Sequence, residues 1–167
     1  MKPTVLQPVA DRRPHADPLA VGALCTRILM IVRPETPLVE AARCMRREHV
    51  GCVVAVEKKG HGEVPMGLLT DRDIVVSVVA AGIDPGELTV GDVMTREVTV
   101  VDEDDSLGAA LAAMRQHGIR RVPVVSREGW LVGLLSADDV VAALTLQTQA
   151  LTETLVAGRQ REGEIHP

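Results

Sequence analysis

Two short runs of the chain carry side chains whose types and spacing could do chemistry. Gly67-Leu-Leu-Thr70-Asp-Arg-Asp73 and Gly133-Leu-Leu-Ser136-Ala-Asp-Asp139 share a glycine, two leucines, a hydroxyl and, three residues later, a carboxylate. A glycine in an apolar strand lets a ligand or a neighbouring backbone approach closely. A hydroxyl at a helix start sits beside free N–H groups and positive potential, which attract an anion. An acid in the first turn can accept two hydrogen bonds from a vicinal diol such as a ribose. Either run by itself reads more readily as a helix cap with a dipole-matching acid. Recurrence in both copies favours a ligand, since a purely structural duplication has no need to keep the pair.

The elements that must position these residues are themselves duplicated. Leu19-Ala-Val-Gly22-Ala-Leu-Cys-Thr26-Arg27 returns as Leu88-Thr-Val-Gly91-Asp-Val-Met-Thr95-Arg96. Leu38, Ala41, Met45-Arg46 and Val53 return as Leu107, Ala110, Met114-Arg115 and Val122. A repeat of this length means two copies of a small unit packed on each other, each too small to bury a core alone. The spacing predicts a strand over Ile28–Val32 and a helix capped by Thr36 with Pro37 first. Leu38, Ala41, Ala42 and Met45 form its buried stripe. Strands follow at Val53–Val56 and Met66–Leu69, joined by a hairpin through Gly60-His-Gly62, then a helix over Asp71–Ala81. The second copy predicts a strand over Val98–Val101 and a helix capped by Asp105 or Ser106, with Leu107, Leu111 and Met114 inward. A hairpin of Val122–Val125 and Leu131–Leu135 leads into a helix from Ala137 to Gly158. The expected organisation is a polar arm over 1–18, repeats over 19–84 and 85–146, and a helical extension with a polar tail over 147–167.

Composition narrows the ligand. Trp130 is the only aromatic residue, Tyr and Phe are absent, and the net charge is −5. A planar ligand must therefore lie between aliphatic side chains and backbone. Single-stranded nucleic acid is disfavoured, because it needs stacking platforms in a basic groove. Cys25, Cys44 and Cys52 form no CxxC pair and read as small buried hydrophobes in a reducing compartment. The N-terminus lacks the continuous apolar core of a secretory signal, and the longest apolar run, Ile74 to Ile83, is short of the roughly 20 residues a bilayer requires. A cytoplasmic protein is expected. No activated Ser, Cys or His arrangement is visible, so no catalytic residue is assigned. His49 and His117 read as partners of helix C-termini, and the five histidines lack ligand spacing, so no metal site is expected.

The two Gly-Leu-Leu-(Thr/Ser)-x-x-Asp runs, Asp92-Val-Met-Thr95 and His117-Gly-Ile-Arg-Arg-Val-Pro123-Val-Val together resemble the CBS-domain family. The resemblance is to a stand-alone tandem pair, or Bateman module, and covers about residues 19–146. It implies a mixed α/β (α+β) fold of two β-α-β-β-α repeats about a pseudo-twofold axis, associating as a homodimer. It also implies a non-catalytic sensor of adenosyl ligands such as AMP, ADP or ATP, with no required cofactor and with Mg²⁺ arriving on the nucleotide. Carried over residue by residue, one cleft would hold adenine among Val98, Thr99, Ile119, Arg120, Arg121 and Pro123, with ribose on Asp73 and phosphate near Thr70. The other would use Leu29, Met30, Val50, Gly51 and Cys52 with Ser136 and Asp139. Arg72, Arg120 and Arg121 are the phosphate candidates, by charge-assisted hydrogen bonds. Because Gly51-Cys52 stands where the second repeat has Arg120-Arg121, the Asp73 cleft is expected to take the more highly charged nucleotide. The competing reading is a ligand-independent scaffold that docks a partner through the Leu144, Leu151 and Leu155 stripe of the last helix.

Overall fold

The computed structural model describes residues 7–8 and 17–165; most of the expected arm, and the last two residues of the tail, lie outside it. In chain order the elements are β1 (Gln7–Pro8), α1 (Val21–Leu24), β2 (Ile28–Leu29), β3 (Ile31–Val32), α2 (Leu38–Glu48), β4 (Cys52–Lys59), β5 (Gly62–Thr70) and α3 (Asp71–Ile74). A π-helical turn over Val75–Val79 continues α3, and a 3-10 turn over Pro85–Glu87 leads to α4 (Val90–Val93). Then come β6 (Val101–Asp102), α5 (Leu107–His117), β7 (Arg121–Val125), β8 (Leu131–Ser136) and α6 (Ala137–Ile165). Each repeat forms a three-stranded sheet, β3-β4-β5 and β6-β7-β8, with the first pair parallel and the second antiparallel. Both hairpins shift register at the equivalent place, Ala55/Val56 and Val124/Val125.

The two units exchange their opening helices. α1 precedes the first sheet in sequence, yet Val21 and Cys25 sit in the second unit's core with Val101, Ala110, Val122 and Leu135. Reciprocally, Val90 and Met94 of the α4 segment complete the first core with Leu38, Ala41, Val53 and Leu69. Backbone bonds fix both crossings. Thr26 and Leu134 exchange N–H···O bonds of 2.9 Å each way, and Thr95 and Leu68 do the same at 2.9 and 3.1 Å. A third cluster, Leu29, Ile31, Val54, Val56 and Leu131, with Leu68 and Leu134 beside it, joins the sheets.

Several local expectations shift. Thr36 does not cap α2; its hydroxyl accepts from Arg33 N–H at 3.1 Å, and Pro37 stands at the cap position. Cys44 rather than Ala42 completes the buried stripe of α2. Among the described residues Val98–Val100 pair with no strand, and only Val101–Asp102 reaches β7. Ser106 caps α5 by accepting from Ala109 N–H at 3.2 Å, and Leu111 points outward while Ala110 is buried. α6 continues past Gly158 to Ile165, where a polar tail was expected from Arg159. Its Ala137–Arg159 stretch, and not Ile74–Ile83, is long and apolar enough by length and composition to cross a membrane, and it lies almost wholly exposed.

Candidate functional site

Both hydroxyl–carboxylate pairs are built as reciprocal caps. Thr70 donates to Asp73 Oδ2 through its N–H at 2.8 Å and its hydroxyl at 2.7 Å, and Asp73 N–H donates back to Thr70 Oγ1 at 3.2 Å. Ser136 and Asp139 repeat this at 2.9, 2.5 and 3.1 Å. A third copy stands at Thr89-x-x-Asp92, where Thr89 donates to Asp92 Oδ2 at 2.8 and 2.6 Å on the exposed start of α4. These bonds hold the Asp92 carboxyl below its ordinary range. Contrary to the expectation that a structural duplication has no need of the pair, helix capping by itself suffices to account for it in both copies. What distinguishes the Thr70–Asp73 copy is its surroundings.

A cleft of about 320 Å³ opens between the units. Thr70, Asp73, Leu68 and Cys52 line it from the first unit. Thr95 to Thr99 (Arg96 aside) line it from the crossing segment, and His117, Ile119, Arg120 and Arg121 from the second unit. The crossing explains this composition. Thr95 is pinned to Leu68 of β5, so the unpaired backbone of Glu97–Thr99 runs along one wall and β7 begins at the other. Asp73 uses Oδ2 for its cap, and among the described residues Oδ1 accepts no hydrogen bond.

Seven expected residues thus meet in one cleft: Thr70, Asp73, Val98, Thr99, Ile119, Arg120 and Arg121. Pro123 does not join them. It is buried in β7 opposite Leu134, toward the sheet interface. Arg72 lies exposed on α3 outside the lining, its N–H bonded to Asp71 Oδ1 at 2.8 Å. Cys52 was assigned to the other cleft, but strand register sets it opposite Thr70 and brings it here. Glu97, Leu68, Thr95 and His117 were missed. The Asp92-Val-Met-Thr95 run carried a signal for Thr95, but His117 read only as a helix end.

The second expected set has varied surroundings among the described residues. Leu29 is packed between the sheets and Met30 lies in the first core. Val50 and Gly51 line a shallow outer groove with Asp71 and Ile74, and Asp71 N–H donates to Gly51 O at 3.2 Å. β1 pairs with Ile28–Leu29, whereas the equivalent Glu97–Val98 carries no strand partner. Ser136 and Asp139 cap α6.

Nothing in the cleft resembles an activated nucleophile. Burial pushes the Cys52 thiol up to about 11, against the pull of Arg121, with Asp73 and Asp71 adding to the rise. The buried Cys25 thiol is raised as well, chiefly by desolvation. Among the described residues no group of three or more His, Cys, Asp or Glu could hold a metal ion.

A family model described as CBS domain matches residues 21–80 and 90–146. An uncharacterized protein of Methanopyrus kandleri is 35% identical over 123 residues, which cover 74% of this chain and 61% of that protein. Hypoxic response protein 1 of Mycobacterium tuberculosis is 38% identical over 107 residues, covering 64% of this chain and 72% of the relative. Its namesake crystal structure, Hypoxic Response Protein I with two coordinated zinc ions, superposes with a TM-score of 0.64 at 31% identity over 74% of this chain and 98% of that one. The CBS domain pair of protein MJ0100, solved with 5-methylthioadenosine and S-adenosyl-L-methionine, gives a TM-score of 0.65 at 22% identity, over 75% of this chain and 98% of that one, and shares the fold.

Proposed function

The chain belongs to the CBS domain family as a tandem pair, and from that premise we propose that it is a non-catalytic sensor of an adenosyl nucleotide. The single observation that carries this reading is the cleft in which Asp73 of one unit faces Arg120 and Arg121 of the other. Asp73 Oδ1 is left to accept from a ribose hydroxyl while Oδ2 holds the cap. The unpaired backbone at Val98 and Thr99, with Ile119, offers an aliphatic slot and hydrogen-bonding groups for the edge of an adenine. Arg120 and Arg121 supply two always-charged guanidinium groups for phosphates, which favours AMP, ADP or ATP over an uncharged nucleoside. Mg²⁺ would enter held by those phosphates. The adenosyl ligands of the MJ0100 domain pair support the class of ligand. Binding between units bonded through Thr95 and Leu68 would bias their packing, and the signal would leave through an effector protein or a homodimer.

A ligand-independent scaffold is the second reading, favoured by the Thr89–Asp92 cap, which shows the same reciprocal bonds closing a helix start outside the two repeated runs. Thermal unfolding with AMP, ADP, ATP, NAD and S-adenosylmethionine, each with and without Mg²⁺, separates the two. A ligand at about 100 times its Kd adds roughly 2.7 kcal/mol. Asp73→Asn should lose that shift and Asp139→Asn should keep it. A flat response across the panel would sink the sensor and leave the scaffold.

A further inference from the structure

α6 is 29 residues long, about 43 Å of helix, yet only its first turns touch the body. Val140 is buried, and from Leu144 onward every described side chain is exposed. Of the six large apolar side chains exposed along this length, Val141, Leu144, Leu151 and Leu155 share one face at the positions of a seven-residue repeat, while Leu146 and Val156 lie off it. Val141, Thr148 and Leu155 fall at one seam position, Leu144, Leu151 and Gly158 at the other. Val141, Leu151 and Leu155 are each about three-fifths exposed. Thr148 suits the seam because its hydroxyl is already satisfied, donating back to Leu144 O at 2.9 Å.

We infer that this seam is an antiparallel coiled coil with α6 of a second copy. In one antiparallel register the two seam positions are complementary. Leu144 meets the partner subunit's Leu155, Thr148 meets Leu151, and Val141 meets the small Gly158, so large faces small at the ends. The flanking charges select the same arrangement. Asp138 and Arg159, both exposed, occupy equivalent flanking positions of the repeat near the two ends of the seam. Antiparallel pairing sets each Asp138 against an Arg159 of the partner, twice per dimer. Parallel pairing sets Arg159 against Thr154 and leaves Asp138 with no counterpart. Between Asp138 and Arg159 the exposed flanking positions, Thr145, Gln147, Thr152 and Thr154, carry no charge to oppose close approach, and Arg161 flanks the far end of the seam. A second copy therefore fits the surface better than a chain with charges of its own. The seam stands apart from the nucleotide cleft, and its test is independent of that reading.

The test is the mass of the full-length protein by sedimentation velocity, with its variants. Leu151→Glu combined with Leu155→Glu should halve the mass of the wild-type species while leaving its cooperative melting intact, since both side chains are exposed in the single chain. Asp138→Arg and Arg159→Asp alone should each weaken self-association roughly three- to tenfold, and the double exchange should restore it. A monomeric wild type, an unchanged mass in the leucine variant, or failure of the double exchange to rescue would each overturn the inference. So would flotation of the wild type with phosphatidylcholine–phosphatidylglycerol vesicles, which would assign the same helix to lipid. Absence of any nucleotide-induced shift in these same samples would sink the sensor and leave the coiled coil standing.

Discussion

Cys52 shows how one side chain reports on the cleft. Desolvation pushes its thiol up to about 11 from an ordinary 9.0, and Arg121 only partly offsets this. The folded state therefore holds that proton longer than the unfolded chain does. The associated stability is complete below pH 9 and declines as pH rises toward 11. At neutral pH the group is a protonated thiol, which is a poor nucleophile. Iodoacetamide should label Cys52 far more slowly than a free thiol at pH 7.5, and a bound nucleotide should slow it further. Mass spectrometry of the Cys52 peptide measures both effects. Labelling at the free-thiol rate, indifferent to saturating nucleotide, would place Cys52 outside the cleft. The hydroxyl–acid pairs teach a related lesson at this scale. Their chemistry was legible in sequence, but three equivalent caps show that identity and spacing alone do not separate a capping carboxylate from one that also faces a ligand.

Among the elements, the glycine-bearing strands β5 and β8 decide how the units meet. A Cβ on Gly67 would collide with Met94 Sδ and stand 2.9 Å from Thr95 O; one on Gly133 would stand 2.5 Å from Cys25 Sγ and 3.1 Å from Thr26 O. The sequence predicted a close approach by ligand or backbone, and the approaching group is the crossing backbone. Because that backbone is bonded across, it cannot move aside, and Gly67→Ala should cost about 1–3 kcal/mol. Gly108 offers the contrast. It lies exposed inside α5, and an added Cβ would meet only Ser106 Oγ at 3.8 Å. Gly108→Ala should stabilise by roughly 0.5–1 kcal/mol through helix propensity alone. Urea unfolding of the two variants checks both signs, and equal effects would refute the crossing contact. Element boundaries were less legible. Val98–Val100 have the composition of a strand, but a strand needs a partner, and the crossing at Thr95 holds these residues away from β7.

The whole molecule is interlocked, since each core borrows from the other half of the chain. Val21 and Val90 are both fully buried, each in the unit to which it does not belong in sequence. Fragments 1–84 and 85–167 would each lack an opening helix and leave an apolar site open. Leaving out a fully buried valine and its neighbours forfeits roughly 1.5–3 kcal/mol per side chain, a large share of the stability available to so small a unit. Neither fragment should melt cooperatively alone, and mixing them should restore a cooperative transition, as followed by circular dichroism. A cooperative transition in isolated 85–167 would show that the exchange is dispensable.

Apart from Val98, Thr99, Ile119, Arg120 and Arg121, which only the family resemblance implied, the sequence alone determined the duplication, the order of strands and helices, and Thr70 and Asp73 of the cleft, because periodicity and motif spacing record which face of each segment is buried and where its helix starts. It could not determine what that face is buried against. The same apolar stripe on α1 satisfies either core, and Cys52 suits either cleft by composition. Only the tertiary structure, by pairing Thr26 with Leu134 and Thr95 with Leu68, chose the crossed arrangement. That choice gathers one set of residues around an open cleft, and it buries Leu29 and Met30 of the other, because burial energy depends on contact between segments distant in the chain, while local pattern does not.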